Sequence, residues 1–130
     1  MNRREELVTI ARAAALKAYS PYSGFRVGAV VVGPDGEMFT GANVENAAYP
    51  ASSCAEATAV AHAVSQGLRQ IDTIVVACID APDVDGAYPC GRCRQIMAEF
   101  EVQTVIVTGD AGSEIRDHSL EDLLPHRFRL

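Results

Sequence analysis

No stretch of this 130-residue chain is long and apolar enough to cross a membrane. Its charged start, Met1-Asn2-Arg3-Arg4-Glu5-Glu6, lacks the apolar run of a secretory signal. Low-complexity tracts, internal repeats and linkers are missing as well. Positive charge is scarce: 11 Lys and Arg against 17 Asp and Glu leave a net charge of −6. A protein that grips a phosphate backbone normally carries a basic stripe, and none is evident, which argues against nucleic acid and for a small soluble enzyme. What remains is a globular chain, 48% apolar, expected to form one domain over residues 1–130 and to work in the cytoplasm. In that compartment four cysteines point to metal or catalysis rather than to disulfides.

The pattern of apolar residues predicts alternating elements. Leu7, Val8, Ile10, Ala11, Ala14, Ala15 and Ala18 give a helical stripe from Glu5 to Tyr19, broken by Ser20-Pro21-Tyr22-Ser23-Gly24. Val27 to Gly33 is a continuous apolar run of strand type, suggesting burial on both faces. Pro34-Asp35-Gly36 turns the chain, and Glu37 to Asn43 reads as the return strand of a hairpin. After a polar loop from Val44 to Ser53, Cys54 to Ser65 should be a buried helix closed by Gln66-Gly67. Ile71 to Ile79 is a buried strand, Asp80 to Pro89 a loop, Gly91 to Glu101 a helix and Gln103 to Thr108 a strand, with a further edge strand beginning near Ile115. Ser119-Leu120-Glu121-Asp122 resembles a capping box ahead of a short helix that Pro125 ends. A hairpin followed by strand–helix–strand crossovers implies an α/β domain, a mixed sheet with helices on both faces.

The chemistry gathers at two helix starts. Cys90 and Cys93, in Pro89-Cys90-Gly91-Arg92-Cys93, lie one helical turn apart on one face and can chelate a single ion. Alone, such a pair also fits a redox couple or half of a structural zinc finger, although no thioredoxin-like pattern surrounds it. Cys54 begins the other helix, where backbone N–H groups and the macrodipole favour a thiolate. A closed four-cysteine structural site would need Cys78, which sits mid-strand in Val75-Val76-Ala77-Cys78-Ile79, where a free cysteine behaves as a small hydrophobe. Three protein ligands with an open position is the catalytic pattern for zinc and is the reading preferred here. His62 is roughly 12 Å along the helix from Cys54 and cannot share its ion. His118 and His126 fall in late polar segments, expected to be exposed. Glu56 in the first turn could be no more than a favourable charge at a helix N-terminus. Placed beside a metal, its carboxylate could instead take a proton from the attacking water and return it to a leaving group.

These residues resemble the zinc-dependent nucleoside deaminases, whose signature pairs a ligand-x-Glu with Pro-Cys-x-x-Cys. The likeness runs from about Tyr19 to Phe128 and is closest to the short, homotetrameric cytidine deaminases. It includes Pro21-Tyr22-Ser23-Gly24-Phe25-Arg26-Val27-Gly28-Ala29, Gly41-Ala42-Asn43-Val44-Glu45-Asn46-Ala47-Ala48-Tyr49 and Leu123-Leu124-Pro125. The resemblance implies a three-layer α/β/α sandwich with a mixed five-stranded sheet. It implies one zinc per subunit on Cys54, Cys90 and Cys93, with Glu56 as proton carrier in the deamination of cytidine and deoxycytidine for pyrimidine salvage. Asn43 and Glu45 would bind the ribose hydroxyls, Phe25 would pack on the base and the Ala55 backbone would meet the carbonyl edge. Phe128 would reach a neighbouring subunit's pocket in a homotetramer with shared sites. From the residues alone, Phe25 reads equally well as core, Asn43 and Glu45 as a turn residue and a solvated charge, and Phe128 as a C-terminal anchor. Relatives acting on polynucleotides usually have histidine where this chain has Cys54, so no nucleic-acid or membrane partner is expected. Many relatives carry arginine after Cys-Ala-Glu, where this chain has Ala57; Arg92 or Arg94 is expected to soften the charge of three thiolates instead. Ala57 also resembles the blasticidin S deaminases, whereas Phe25 and Asn43-Val44-Glu45-Asn46 favour a ribonucleoside.

Overall fold

Five strands in the order β2-β1-β3-β4-β5 form one mixed sheet in the computed structural model, which describes every residue from Met1 to Leu130. The elements are α1 (Arg3–Ala15), β1 (Val27–Val32), β2 (Met38–Ala42), α2 (Ala55–Ser65), β3 (Thr73–Cys78), α3 (Gly91–Glu99), β4 (Thr104–Thr108), β5 (Ile115–Ser119) and α4 (Leu120–Leu123). Strand β1 is antiparallel to both β2 and β3, β3 and β4 run parallel, and β4 and β5 are antiparallel. The hairpin, the crossover through α3 and the edge strand therefore stand as the sequence pattern implies.

The continuous apolar strands are continuous because each face of the sheet is covered. Ala29, Val31, Ile74, Val76, Val105 and Val107 point to the layer holding α2 and α3. Their alternates Val30, Val32, Val75, Ala77 and Ile106 pack with Leu7, Val8 and Ala11 of α1. A side-chain period of two thus sends neighbouring residues into separate cores, and each fully buried valine contributes about 1.5 kcal/mol or more. Two glycines let the helices come this close. A Cβ on Gly28 would collide with the backbone of Ala11 and Ala15 in α1, and one on Gly41 with the backbone of Ala55 and Ala59 in α2.

Several boundaries differ from the sequence expectation. Helix α1 begins at Arg3, where the Asn2 side chain accepts from the Glu5 N–H, and stops at Ala15 rather than Tyr19. Tyr19 is claimed by tertiary pairing instead: its N–H donates to Asn43 and its carbonyl accepts from Glu45. The polar loop before Cys54 contains a 3₁₀ turn, Tyr49–Ala51, and isolated bridges from Val44 to Tyr19 and Ser53. The loop after β3 contains another, Val84–Ala87, started by the Asp83 carboxylate accepting from the Asp85 N–H. Cys78 is the last residue of β3 rather than mid-strand. Ser119 caps α4 as its sequence suggests, its hydroxyl accepting from the Asp122 N–H.

Candidate metal centre and substrate cavity

Two helix N-termini meet beside the end of β3. Cys54 is the N-cap of α2 and Cys90 the N-cap of α3, both with extended backbone, and Cys93 lies one turn into α3. Their three Sγ atoms all lie within 4.8 Å of one another. Neither cap side chain is spent on its own helix, so the positive ends of both dipoles face the sulfurs. Burial is graded across the group: Cys93 is fully buried, Cys54 half-buried and Cys90 exposed. A soft, closely spaced trio of sulfur donors at two helix starts suits one tetrahedral zinc and leaves room for a ligand from the cavity.

Proton placement in this cluster is uneven. The Cys54 thiol is drawn down to about 6, chiefly by a hydrogen bond from Cys93 and, against the opposing effect of burial, by Cys90 and the Arg92 guanidinium. Cys93, as the partner that donates to Cys54, is pushed up. Metal binding must displace such protons, so occupancy of a thiolate site is pH-dependent.

Cys78 does not join the cluster. Its thiol donates to the Ala87 carbonyl at 3.7 Å, and burial pushes it up to about 12. A closed four-cysteine site is therefore not what the fold assembles.

Glu56 is 5% exposed, and burial raises its carboxyl to about 7. The first turn of α2 directs it inward beside the sulfurs rather than to solvent. A carboxyl that gains and loses a proton near neutrality is suited to proton transfer.

Beside the sulfurs is a cavity of about 280 Å³. Phe25, Asn43, Glu45, Ala55 and Glu56 all line it, so the structure brings together residues that the sequence scatters over three segments. No lysine, arginine or histidine lines it. The Asn43 side chain donates to the Phe25 carbonyl at 2.8 Å and accepts from the Val27 N–H at 2.9 Å. Glu45 accepts from the N–H groups of Tyr22 and Ser23 at 2.9 and 3.1 Å, and from the Ser23 hydroxyl. Those bonds, the Ser23 hydroxyl foremost, hold its carboxyl below the usual carboxylate range. Both residues therefore fix the turn that presents Phe25, with carboxylate and amide still edging the cavity.

Phe128 does not line this cavity. Its backbone is clasped by the Gln95 side chain, with the N–H donating to Oε1 and the carbonyl accepting from Nε2, each at 3.1 Å. Its ring is left 69% exposed. The two candidate arginines part company. Arg94 donates from Nε to the Pro89 carbonyl at 2.9 Å and from Nη1 to the Leu123 carbonyl at 2.7 Å. Arg92 is exposed and acts on Cys54. Among the histidines, His62 is exposed and meets the Thr40 carbonyl, and His126 is exposed. His118 is a correction: it is half-buried and bonded to the Tyr88 hydroxyl at 2.8 Å.

Sequence reasoning passed over Tyr88, Ser53 and Val76, which line the cavity too. Only Tyr88 offered a signal, its place immediately before Pro89-Cys90.

Comparison with known proteins agrees with this geometry. Residues 1–109 match the family model described as the cytidine and deoxycytidylate deaminase zinc-binding region. A cytidine deaminase of Halalkalibacterium halodurans is 40% identical over 126 residues, covering 96% of this chain and 93% of the relative. The crystal structure of cytidine deaminase from Burkholderia pseudomallei superposes with a TM-score of 0.89 at 41% identity, over 98% of this chain and 100% of that one. Cytidine deaminase from Mycobacterium tuberculosis gives 0.79 at 33% identity, with full coverage of both chains (100% each).

Proposed function

The chain belongs to the cytidine and deoxycytidylate deaminase family, and from that premise we propose that it hydrolyses cytidine, and deoxycytidine, to the uridine product and ammonia. The observation that carries the reading is the Glu56 carboxyl, buried beside three clustered thiols in a cavity that Phe25, Asn43 and Glu45 also line. Cys54, Cys90 and Cys93 hold zinc, and the metal, when bound, supplies Lewis acidity that makes water a competent nucleophile at neutral pH. Glu56 takes the proton from the attacking water and delivers it to the ring nitrogen next to the amino-bearing carbon. The carboxylate so regenerated then takes the second water proton from the hydroxyl now on that carbon and passes it to the departing amine, so that the C–N bond breaks as the product carbonyl forms, one water is consumed and one ammonia leaves.

The remaining residues orient the nucleoside. Phe25 packs on the base, the backbone of Ala55 meets its carbonyl edge, and Asn43 and Glu45 bind the ribose hydroxyls from the turn they also stabilise. The absence of any cation from the cavity lining supports a free nucleoside over a nucleotide or polynucleotide. Arg92 is the cation that offsets the charge of the thiolates in place of an arginine at Ala57. This reading is supported by its effect on Cys54 and by the engagement of Arg94 with two carbonyls. The working unit is a single deaminase domain over residues 1–130, acting in cytoplasmic pyrimidine salvage as a homotetramer. The exposed Phe128 ring supports its reaching a neighbouring subunit's cavity.

Ultraviolet absorbance on cytidine, deoxycytidine, cytosine, adenosine and blasticidin S tests the reading directly. Turnover of the two cytosine nucleosides alone is expected; turnover of blasticidin S alone would replace the substrate and keep the mechanism.

A further inference from the structure

We propose that His118 and Arg116 of β5 are positioning residues for the substrate cavity, acting through Tyr88 on the wall formed by Gly86, Ala87 and Tyr88. The inference rests on the deaminase reading above. Neither His118 nor Arg116 lines the cavity, whereas all three wall residues do.

Strand β5 is an edge strand pinned to β4, with Val105 opposite His118 and Val107 opposite Arg116. Period-two alternation sends Arg116 and His118 to one face and Asp117 to the other, where it pairs with Arg4 of α1 at 2.6 Å. On the cavity side the Tyr88 hydroxyl lies 2.8 Å from His118 Nε2, and the two rings sit 5.3 Å apart. Arg116 Nη1 donates to the same hydroxyl at 3.3 Å and to Asp85 Oδ1 at 2.7 Å, and its Nη2 donates to Glu114 at 2.6 Å. The guanidinium occupies one acceptor site of the hydroxyl, so the O–H and the remaining lone pair are left for His118 Nε2. Asp85 is in the 3₁₀ turn that carries Gly86 and Ala87, so two β5 side chains hold both ends of the wall. Val84 and Ala87 anchor the inner side of the turn in the core, and the remaining polar tie to β3, from Cys78 to Ala87, is a long sulfur hydrogen bond. The polar side of the wall, at Asp85 and Tyr88, is therefore held from an edge strand, at 28 to 31 residues' separation.

The test is steady-state kinetics of the zinc-loaded enzyme with cytidine, alongside zinc content and thermal unfolding. His118→Leu keeps bulk and removes the hydrogen-bonding nitrogen, whereas in His118→Gln the side-chain amide reaches the place of Nε2. His118→Leu should raise KM about three- to tenfold with kcat and zinc content unchanged, and His118→Gln should recover most of the loss. Arg116→Gln should shift KM in the same direction and serves if His118→Leu does not fold. In the double variant Tyr88→Phe with His118→Leu, KM should rise no further than in Tyr88→Phe alone, because the bond that His118→Leu removes is already among those lost with the Tyr88 hydroxyl. Variants that unfold earlier but keep the wild-type KM, or KM effects that multiply, would overturn the proposal. A wild-type enzyme that deaminates no cytosine nucleoside would instead bring down the functional reading, and this inference with it.

Discussion

Arg26 and Asp80 are joined by three hydrogen bonds. Arg26 Nε and Nη2 reach separate oxygens of the Asp80 carboxylate at 2.9 Å, and the Arg26 backbone N–H adds a third bond at 2.8 Å. Arg26 follows Phe25 at the entry to β1, and Asp80 begins the loop that becomes the cavity wall. The pair thus ties two sides of the cavity together across the strand ends, and a bidentate guanidinium makes the geometry specific.

That pair sets an acid-side limit on stability. The hydrogen bonds from Arg26 hold the Asp80 carboxyl down to about 2, against about 3.9 for an unfolded aspartate. A depressed carboxyl contributes its full stabilisation above the unfolded value and loses it as pH falls from about 4 to about 2. Asp80→Asn should therefore unfold at lower temperature than wild type at pH 5 to 7, with the gap closing towards pH 2. Thermal unfolding of both chains across that range measures it, and a gap independent of pH would refute the assignment.

Glu56→Gln should retain zinc and lose about 10²- to 10⁴-fold in kcat, because it removes the proton carrier and no ligand. Its stability carries a second sign. Burial raises the Glu56 carboxyl to about 7, so ionisation favours the unfolded chain increasingly as pH climbs from about 4 to 7. Compared without metal at pH 8, the glutamine variant should be at least as stable as wild type. Kinetics, metal analysis and unfolding of the same sample separate the two effects.

Replacing Cys54, Cys90 or Cys93 with serine should each abolish stoichiometric zinc and activity, and a strong chelator should do the same to the wild type. Cys78→Ala should keep one zinc per chain, since its thiol donates to the Ala87 carbonyl and lies outside the three-sulfur cluster. X-ray absorption should count three sulfurs and one lighter atom. Four sulfurs, or zinc lost from Cys78→Ala, would contradict the site.

Much of this was legible in the residues because it is local. Val27 to Val32 and Thr73 to Cys78 announce two-sided burial by being apolar without alternation, and the structure buries five of six residues in each. Cys54, Glu56, Cys90 and Cys93 stand at fixed offsets from two helix starts, and the fold brings those starts together. What was hidden is non-local. Nothing near Ala15 says that Tyr19 will pair with Asn43 and end the helix early. Nothing near His118 says that Tyr88, thirty residues earlier, will bond it. Asn43 and Glu45 were placed by resemblance alone, because their double duty in holding Phe25 and the Tyr22–Ser23 turn arises only when the loops meet.

Ala57 leaves the thiolate cluster without a cation in the first turn of α2, and the two arginines of the second motif answer differently. Arg94→Gln breaks bonds to Pro89 and Leu123, tying α3 to the end of α4, and should lower thermal stability by about 1–3 kcal/mol with zinc affinity little altered. Arg92 is exposed, so Arg92→Gln should leave unfolding of the metal-free chain almost unchanged. It removes a positive charge that favours the Cys54 thiolate, so the Cys54 thiol should need a higher pH to ionise. Zinc should then bind more weakly, most visibly between pH 5 and 7, where metal must displace the proton. Competition with a chromogenic chelator across that range gives the affinity, and identical curves for Arg92→Gln and wild type would leave the helix dipoles as the only counterweight to the three sulfurs.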